Sequence, residues 1–316
     1  MMQAVIMAGG KGTRLVALTK DEIPKPMVPV AGKPLLLWQV ERLKENGITD
    51  IIMVIGHLGN KIREYFGDGE KFGVAIRYFE ETEPLGTAGS FYYLKDMIHG
   101  DRFVMMSGDL FFDIDFQRMI HFHEEKGAVA TLFVHPNGHP FDSDLLVLDH
   151  DDKITAFDSK HNVRNYWYEN CVNAGIFVFE KKICDYVPEP VKRNLENDVI
   201  KGMLEAGEPI YGYCSPEYVK DVGTVERVNQ TLADIERGVI AGKCLKNKQR
   251  CIFMDRDGTI NQYKGLVYKG EDFTLEDCAV DAIRKINQSG RLGIVITNQP
   301  AVSYTHLRAH ETDQYL

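Results

Sequence analysis

Gly9, Gly10 and Gly12 close a short apolar run, Arg14 follows, and Lys25 sits between Pro24 and Pro26. Glycine lets backbone N–H groups approach a polyphosphate where a Cβ would stand in the way. Arginine and lysine then add fixed positive charge, so the stretch has the parts to hold phosphate. It is not a P-loop, because no Gly-Lys-Ser/Thr follows. It is not the dinucleotide fingerprint, because the glycines fall as G-G-x-G rather than G-x-G-x-x-G. The glycines alone fit a tight strand-to-helix turn equally well; Arg14 and Pro24-Lys25-Pro26 favour phosphate.

Two aspartates could add a cation. The apolar run from Phe103 ends in Ser107-Gly108-Asp109, and an acid after a glycine at a strand's carboxyl end suits a divalent metal. Asp221 precedes Val222-Gly223-Thr224. Thr224 is the better helix cap, which leaves Asp221 for a ligand, although Asp221 could itself cap. Asp113 and Asp115 lie near Asp109, and one of them caps the helix over 116–126. His135, His139 and His150 fit no common metal spacing and read as surface residues.

The elements that position these groups follow from apolar periodicity. Strands are expected at 4–8, 51–55, 74–79, 103–109, 129–135, 154–160, 172–179 and 210–213. Helices are expected at 34–46, 61–66, 90–97, 116–126, 197–205 and 225–237. Strand and helix alternating at this spacing predict an α/β fold with a mostly parallel sheet and covering helices. Ligands in such sheets sit at the carboxyl ends of the strands. Residues 239–250 carry Lys243, Lys246, Lys248 and Arg250 and read as a solvated basic linker.

The 316 residues are 44% hydrophobic and 26% charged, with a net charge of −9. That excludes a nucleic-acid-binding surface on bulk electrostatics. No run is long enough to cross a membrane, and no signal peptide is expected before the first strand. Six scattered cysteines with no C-x-x-C read as reduced thiols, hence a cytoplasmic protein.

G-G-x-G-T-R-L followed by P-K-P-M-x-P-V resembles the sugar-1-phosphate nucleotidyltransferases, over about residues 2–238. The resemblance implies a Rossmann-like, GT-A-like mixed sheet. It implies that an NTP and a sugar 1-phosphate are the partners and Mg²⁺ the cofactor. Arg14, Lys25, Asp109 and Asp221 would be catalytic, with Asp109 and Asp221 holding the metal. Ala8, Gly9, Gly10, Gly12 and Thr13 would bind the nucleotide. So would Gly86, Thr87 and Ala88 of Pro84-Leu-Gly-Thr-Ala-Gly89, a segment that by itself reads as a loop with a Thr cap. Lys160, Asn173, Gly175 and Lys220 would bind the sugar phosphate. The family usually has Glu-Lys where this chain has Ser159-Lys160. Pro-Lys-Pro-Met and Pro-Leu-Gly-Thr-Ala-Gly are similar to guanylyltransferases for mannose or heptose 1-phosphate. A non-catalytic sugar-nucleotide-binding module is the competing class, and homo-oligomerisation stays open.

Residues 251–301 begin a second motif. Asp255-Arg-Asp257-Gly-Thr, a later helix and strand, and Thr297 resemble the haloacid-dehalogenase (HAD) phosphatases, specifically those acting on histidinol phosphate and heptose bisphosphate. There Asp255 would attack phosphorus, Asp257 act as acid/base and Thr297 bind phosphate. A later lysine and acidic pair are missing, so this partial HAD-like α/β domain is expected to be inactive. Residues 302–316 begin Val302-Ser-Tyr-Thr-His-Leu-Arg-Ala-His and read as a translated sequencing adapter rather than native sequence.

Overall fold

The computed structural model describes residues 2–10, 15–137, 140–166, 168–265, 267 and 270–298. The first apolar run becomes β1 (Gln3–Met7). A small hairpin of β2 (Pro29–Val30) and β3 (Lys33–Pro34) follows, then the helix Leu35–Glu45 and β4 (Asp50–Ile55). The helix Gly59–Phe66, β5 (Ala75–Glu80) and the helix Phe91–Met97 come next. Then β6 (Arg102–Ser107) turns into β7 (Leu110–Asp113), followed by the helix Phe116–Glu125 and β8 (Ala130–His135). The hairpin β9 (Leu145–Leu148) and β10 (Ile154–Asp158) precedes β11 (Val172–Glu180), β12 (Ile210–Cys214) and β13 (Tyr218–Asp221).

Seven strands form one sheet in the order β12-β8-β11-β6-β1-β4-β5. The run from β6 to β5 is parallel, whereas β11 lies antiparallel to both β6 and β8. The expected mixed, mostly parallel sheet is therefore present. Its central strands are apolar throughout because helices cover both faces. Ala4 and Ile6 of β1 enter one core, and Val5 enters the other. The helix Leu35–Glu45 buries Leu36, Val40 and Leu43 at i, i+4 and i+7. Gly47, at φ +78°, stops it. Asp115 caps the next helix by accepting from the Gln117 and Arg118 N–H groups.

A third core lies apart from the sheet. Leu15, Val28, Val30, Phe111, Val222 and Ile240 pack together there. It joins the β2–β3 hairpin and the two-stranded ribbon of β7 and β13 to the helices Val225–Glu236 and Val239–Lys243. The expected linker over 239–250 is corrected at this point. Ile240 and Cys244, four residues apart, are 5% and 2% exposed, so they give the basic run a buried side. The first unit accordingly extends to Lys246 rather than 238. The helix expected over 197–205 begins as a π-helical turn, Leu195–Ile200, and continues as α-helix over Lys201–Glu205.

The second unit starts at Asn247. It holds β14 (Cys251–Met254), the helix Ala279–Gln288 and β15 (Leu292–Val295), with the two strands parallel. Met254 pairs with Val295, so Asp255 and Thr297 follow the strands at the same end. Gln299 to Leu316, with the adapter-like tail, lie outside the described residues. All six cysteines are free thiols.

Candidate active site

Asp109 occupies the turn between β6 and β7. Its neighbour Gly108 donates to the Met7 carbonyl at 2.8 Å, and a Cβ on Gly108 would stand 2.9 Å from that oxygen. The turn is therefore pressed against the end of β1, where the glycine loop begins. β13 lies antiparallel to β7 with Asp221 opposite Leu110, and the Val222 N–H donates to the Asp109 carbonyl at 2.9 Å. Two aspartates far apart in sequence thus become neighbours. Lys25 joins them from a single 3₁₀ turn, Lys25–Met27, introduced by Pro24. Its ammonium pairs with the Asp109 carboxylate. A Cβ on Gly223 would lie 2.6 Å from Asp221 Oδ1 and 3.3 Å from Lys25 Nζ, so only glycine leaves that space open. Arg227 holds Asp221 Oδ2 at 2.6 Å, and the Thr224 hydroxyl accepts from the Arg227 N–H as helix cap. Thr224 is the cap, and Asp221 stays free of that duty.

Asp221 Oδ1 is buried and has no hydrogen-bond partner. An orphaned carboxylate oxygen beside a second carboxylate fits a hard divalent cation. Among the described residues no three His, Cys, Asp or Glu side chains group as a metal site. Magnesium, typically held by one or two carboxylates plus substrate phosphates, needs no more than this pair.

Among the residues that the resemblance assigns to the nucleotide, Ala8 is buried and its N–H donates to the Val54 carbonyl at 2.7 Å. Gly9 packs against Gly56, and no described residue comes within 4 Å of a Cβ placed on Gly10. Gly12, Thr13 and Arg14 lie outside the described residues. The segment after Pro84 is packed against a later stretch of the chain. Gly86 and Gly89 are required by protein packing, since a Cβ on either would strike the carbonyl of Arg193 or Val191. Ala88 is buried and its N–H donates to the Arg193 carbonyl at 3.1 Å, so it is a packing residue. Thr87 accepts from the Leu195 N–H at 2.7 Å, which ties this loop to the π-helical turn.

Sequence reasoning missed Glu81, which no motif marks. Its Oε2 lies 3.1 Å from where a Gly9 Cβ would be, and its Oε1 is buried without a partner. Burial pushes its carboxyl up to about 7, against a bond from the Leu85 backbone that lowers it.

Among the residues that the resemblance assigns to the sugar phosphate, Asn173 Oδ1 accepts from the Gly175 N–H at 3.0 Å. Gly175 sits at φ +79°, a conformation that favours glycine, within a register shift of β11 against β8. Lys160 lies in the turn after β10, and its N–H donates to Asp144 Oδ1 at 2.9 Å. Arg164 fixes the loop after Lys160 by binding Asp158 Oδ2 at 2.8 Å. Lys220 is corrected. Successive strand side chains face opposite ways, and Lys220 turns from Asp221 toward Asp234, 3.6 Å away on the following helix. Of the three histidines, His150 is exposed and His139 lies outside the described residues. His135 is half-buried, and that burial lowers its pKa.

In the second unit, Asp255 Oδ1 accepts from the Arg256 N–H at 2.7 Å, and Asp257 is held by Asn261 at 2.9 Å.

A mostly parallel sheet in an α/β protein thus brings Gly9, Gly10, Lys25, Asp109 and Asp221 to the carboxyl ends of β1 and β6. Residues 3–238 match the family described as Nucleotidyl transferase, and the chain belongs to that family. It is 33% identical over 261 residues to UTP–glucose-1-phosphate uridylyltransferase of Synechocystis sp., covering 78% of this chain and 66% of that protein. It is 32% identical over 246 residues to mannose-1-phosphate guanylyltransferase of Mycobacterium tuberculosis, covering 78% and 67%. The chain therefore spans about two thirds of the length of these curated relatives. The fold is shared with HddC from Yersinia pseudotuberculosis complexed with GMP-PN, at TM-score 0.63 and 24% identity over 74% of this chain and all of that one. No helix among the described residues is long and apolar enough to cross a membrane.

Proposed function

We propose that this chain transfers a nucleotidyl group from an NTP to a sugar 1-phosphate. A phosphate oxygen of the sugar attacks the α-phosphorus in line. The new O–P bond forms as the bond to the β-phosphate oxygen breaks, and pyrophosphate leaves with the electron pair. The attacking oxygen is already anionic, so no general base is required. Catalysis is then positioning and charge neutralisation. Asp109 and Asp221 would hold Mg²⁺, which when bound offsets phosphate charge. Lys25, and Arg14 by the family resemblance, would neutralise the triphosphate and the leaving group. The observation that carries this reading is the convergence of Lys25, Asp109 and Asp221 at the end of β1.

The base we favour is guanine. Glu81 is an acceptor beside the glycine loop, and guanine offers adjacent N1–H and N2–H donors to one carboxylate. The sugar we favour is D-glycero-D-manno-heptose 1-phosphate. By resemblance, residues 251–301 would belong to a HAD-type neighbour acting on a heptose bisphosphate, and Asp255 and Thr297 follow β14 and β15 at one end. Mannose 1-phosphate is the second reading, supported by the name of the M. tuberculosis relative. A pyrophosphate-release screen of four NTPs against these two sugars and glucose 1-phosphate, with Mg²⁺, tests the proposal. Turnover with GTP and a manno-configured sugar is expected; silence on every pair from folded protein overturns it.

A further inference from the structure

Glu196 was not among the residues that sequence motifs marked, yet the fold delivers it to the sugar side by three separate ties. It sits in the first turn of the π-helix Leu195–Ile200, and π-helical turns recur at functional sites. The Thr87 hydroxyl fixes the start of that turn by accepting from the Leu195 N–H, and Gly86 bridges to Arg193 just before it. On its other side, Glu196 Oε1 accepts from Asn173 Nδ2 at 3.2 Å. Asn173 leads β11 toward the metal aspartates. It lies three residues before Ile176, whose partner Met106 lies three residues before Asp109. Asp144, whose carboxylate holds the Lys160 N–H, is near enough to act electrostatically on Glu196. Asn173 and Glu196 are thus bonded across two segments, and Asp144 ties the backbone of Lys160 to their surroundings.

We propose that the Glu196 carboxylate, oriented by the Asn173 amide, is the hydroxyl-binding acceptor for the sugar ring, while Lys160 takes its phosphate. This rests on the nucleotidyl-transfer reading and deepens it. The chemistry favours a carboxylate here. A sugar ring presents O–H donors, and an ionised carboxylate offers two oxygens that accept from neighbouring hydroxyls. Ser159, beside Lys160, contributes only a hydroxyl. Burial disfavours an uncompensated charge on Glu196, so donors arriving with the sugar meet an acceptor with few others. The ligand class is a hexose or heptose 1-phosphate with free ring hydroxyls, and discrimination among epimers would be set at this residue.

The test uses the full chain and its Glu196→Gln and Glu196→Ala variants. Calorimetric binding of mannose 1-phosphate and of its single-deoxy analogues is measured beside GTP binding. Wild type is expected to bind the parent sugar about tenfold or more tighter than one of the deoxy analogues. Both variants should lose that preference and bind GTP as wild type does. Equal sugar binding by wild type and Glu196→Gln overturns the proposal. So does a parallel loss of sugar and GTP binding, which would show a merely structural role. A wild type that binds no sugar phosphate overturns it too. Sugar binding that depends on Glu196 without pyrophosphate release upholds this assignment while rejecting the catalytic reading.

Discussion

The Lys25 ammonium rests on the Asp109 carboxylate, joining residues 84 positions apart in the chain. The pair unites the proline-flanked turn with the end of β6. A substrate triphosphate and its metal would have to part it, the metal going to Asp109 and the phosphate to Lys25.

Removing either partner should therefore disable transfer. Lys25→Ala and Asp109→Ala are each expected to lower kcat/KM by roughly 10² to 10³. The double variant should fall by less than the product, because the residues share one network. Lys25→Arg should not restore the rate, since a planar guanidinium is not a compact ammonium. Steady-state pyrophosphate release checks all four.

Asp221 offers its effect through metal response. Asp221→Asn removes the charge but keeps the bond from Arg227, so melting temperature should stay close to wild type. The Mg²⁺ concentration for half-maximal rate should rise about tenfold or more. Chelation should abolish wild-type turnover, and added Mg²⁺ should restore it. An unchanged Mg²⁺ requirement would remove Asp221 from the metal site.

Glu81 should make nucleotide binding pH-dependent. Its carboxyl, raised to about 7 by burial, is protonated below that value and accepts poorly. The KM for GTP should fall as pH rises from 6 to 8, and Glu81→Gln should flatten that dependence. Stability runs the other way. The folded protein holds this proton above the ordinary carboxylate range, so the group favours folding at low pH and opposes it as pH rises through 7. Glu81→Gln should raise the melting temperature more at pH 8 than at pH 5.

Two glycines separate packing from ligand approach. Gly86→Ala at φ +78°, facing the Arg193 carbonyl, should cost about 2 kcal/mol or more and lower the melting temperature. Among the described residues nothing crowds Gly10, so Gly10→Ala should leave stability nearly unchanged and raise the nucleotide KM. Thermal melts and initial rates distinguish the two.

Much of this was legible from sequence. The apolar runs announced the central strands, and Ser107-Gly108-Asp109 announced an acid at the carboxyl end of one of them. Four features were not legible, for physical reasons. Lys220 was read with Asp221 because sequence adjacency hides strand alternation. The packing of Gly86 and Gly89 was hidden because the segment they meet, around Val191 and Arg193, lies about a hundred residues later. Glu81 and Glu196 carry no motif, and only long-range packing against Gly9 and Asn173 gives them meaning. The helix at 239–243 was hidden in a basic run whose buried side consists of little more than Ile240 and Cys244.

Pyrophosphate release from GTP and mannose or heptose 1-phosphate, in wild type and Asp109→Ala side by side, tests the central claim most directly. The account predicts Mg²⁺-dependent release by wild type and its loss in the variant. Folded wild type that releases none with any NTP and sugar pair, or a variant that matches it, would contradict the account.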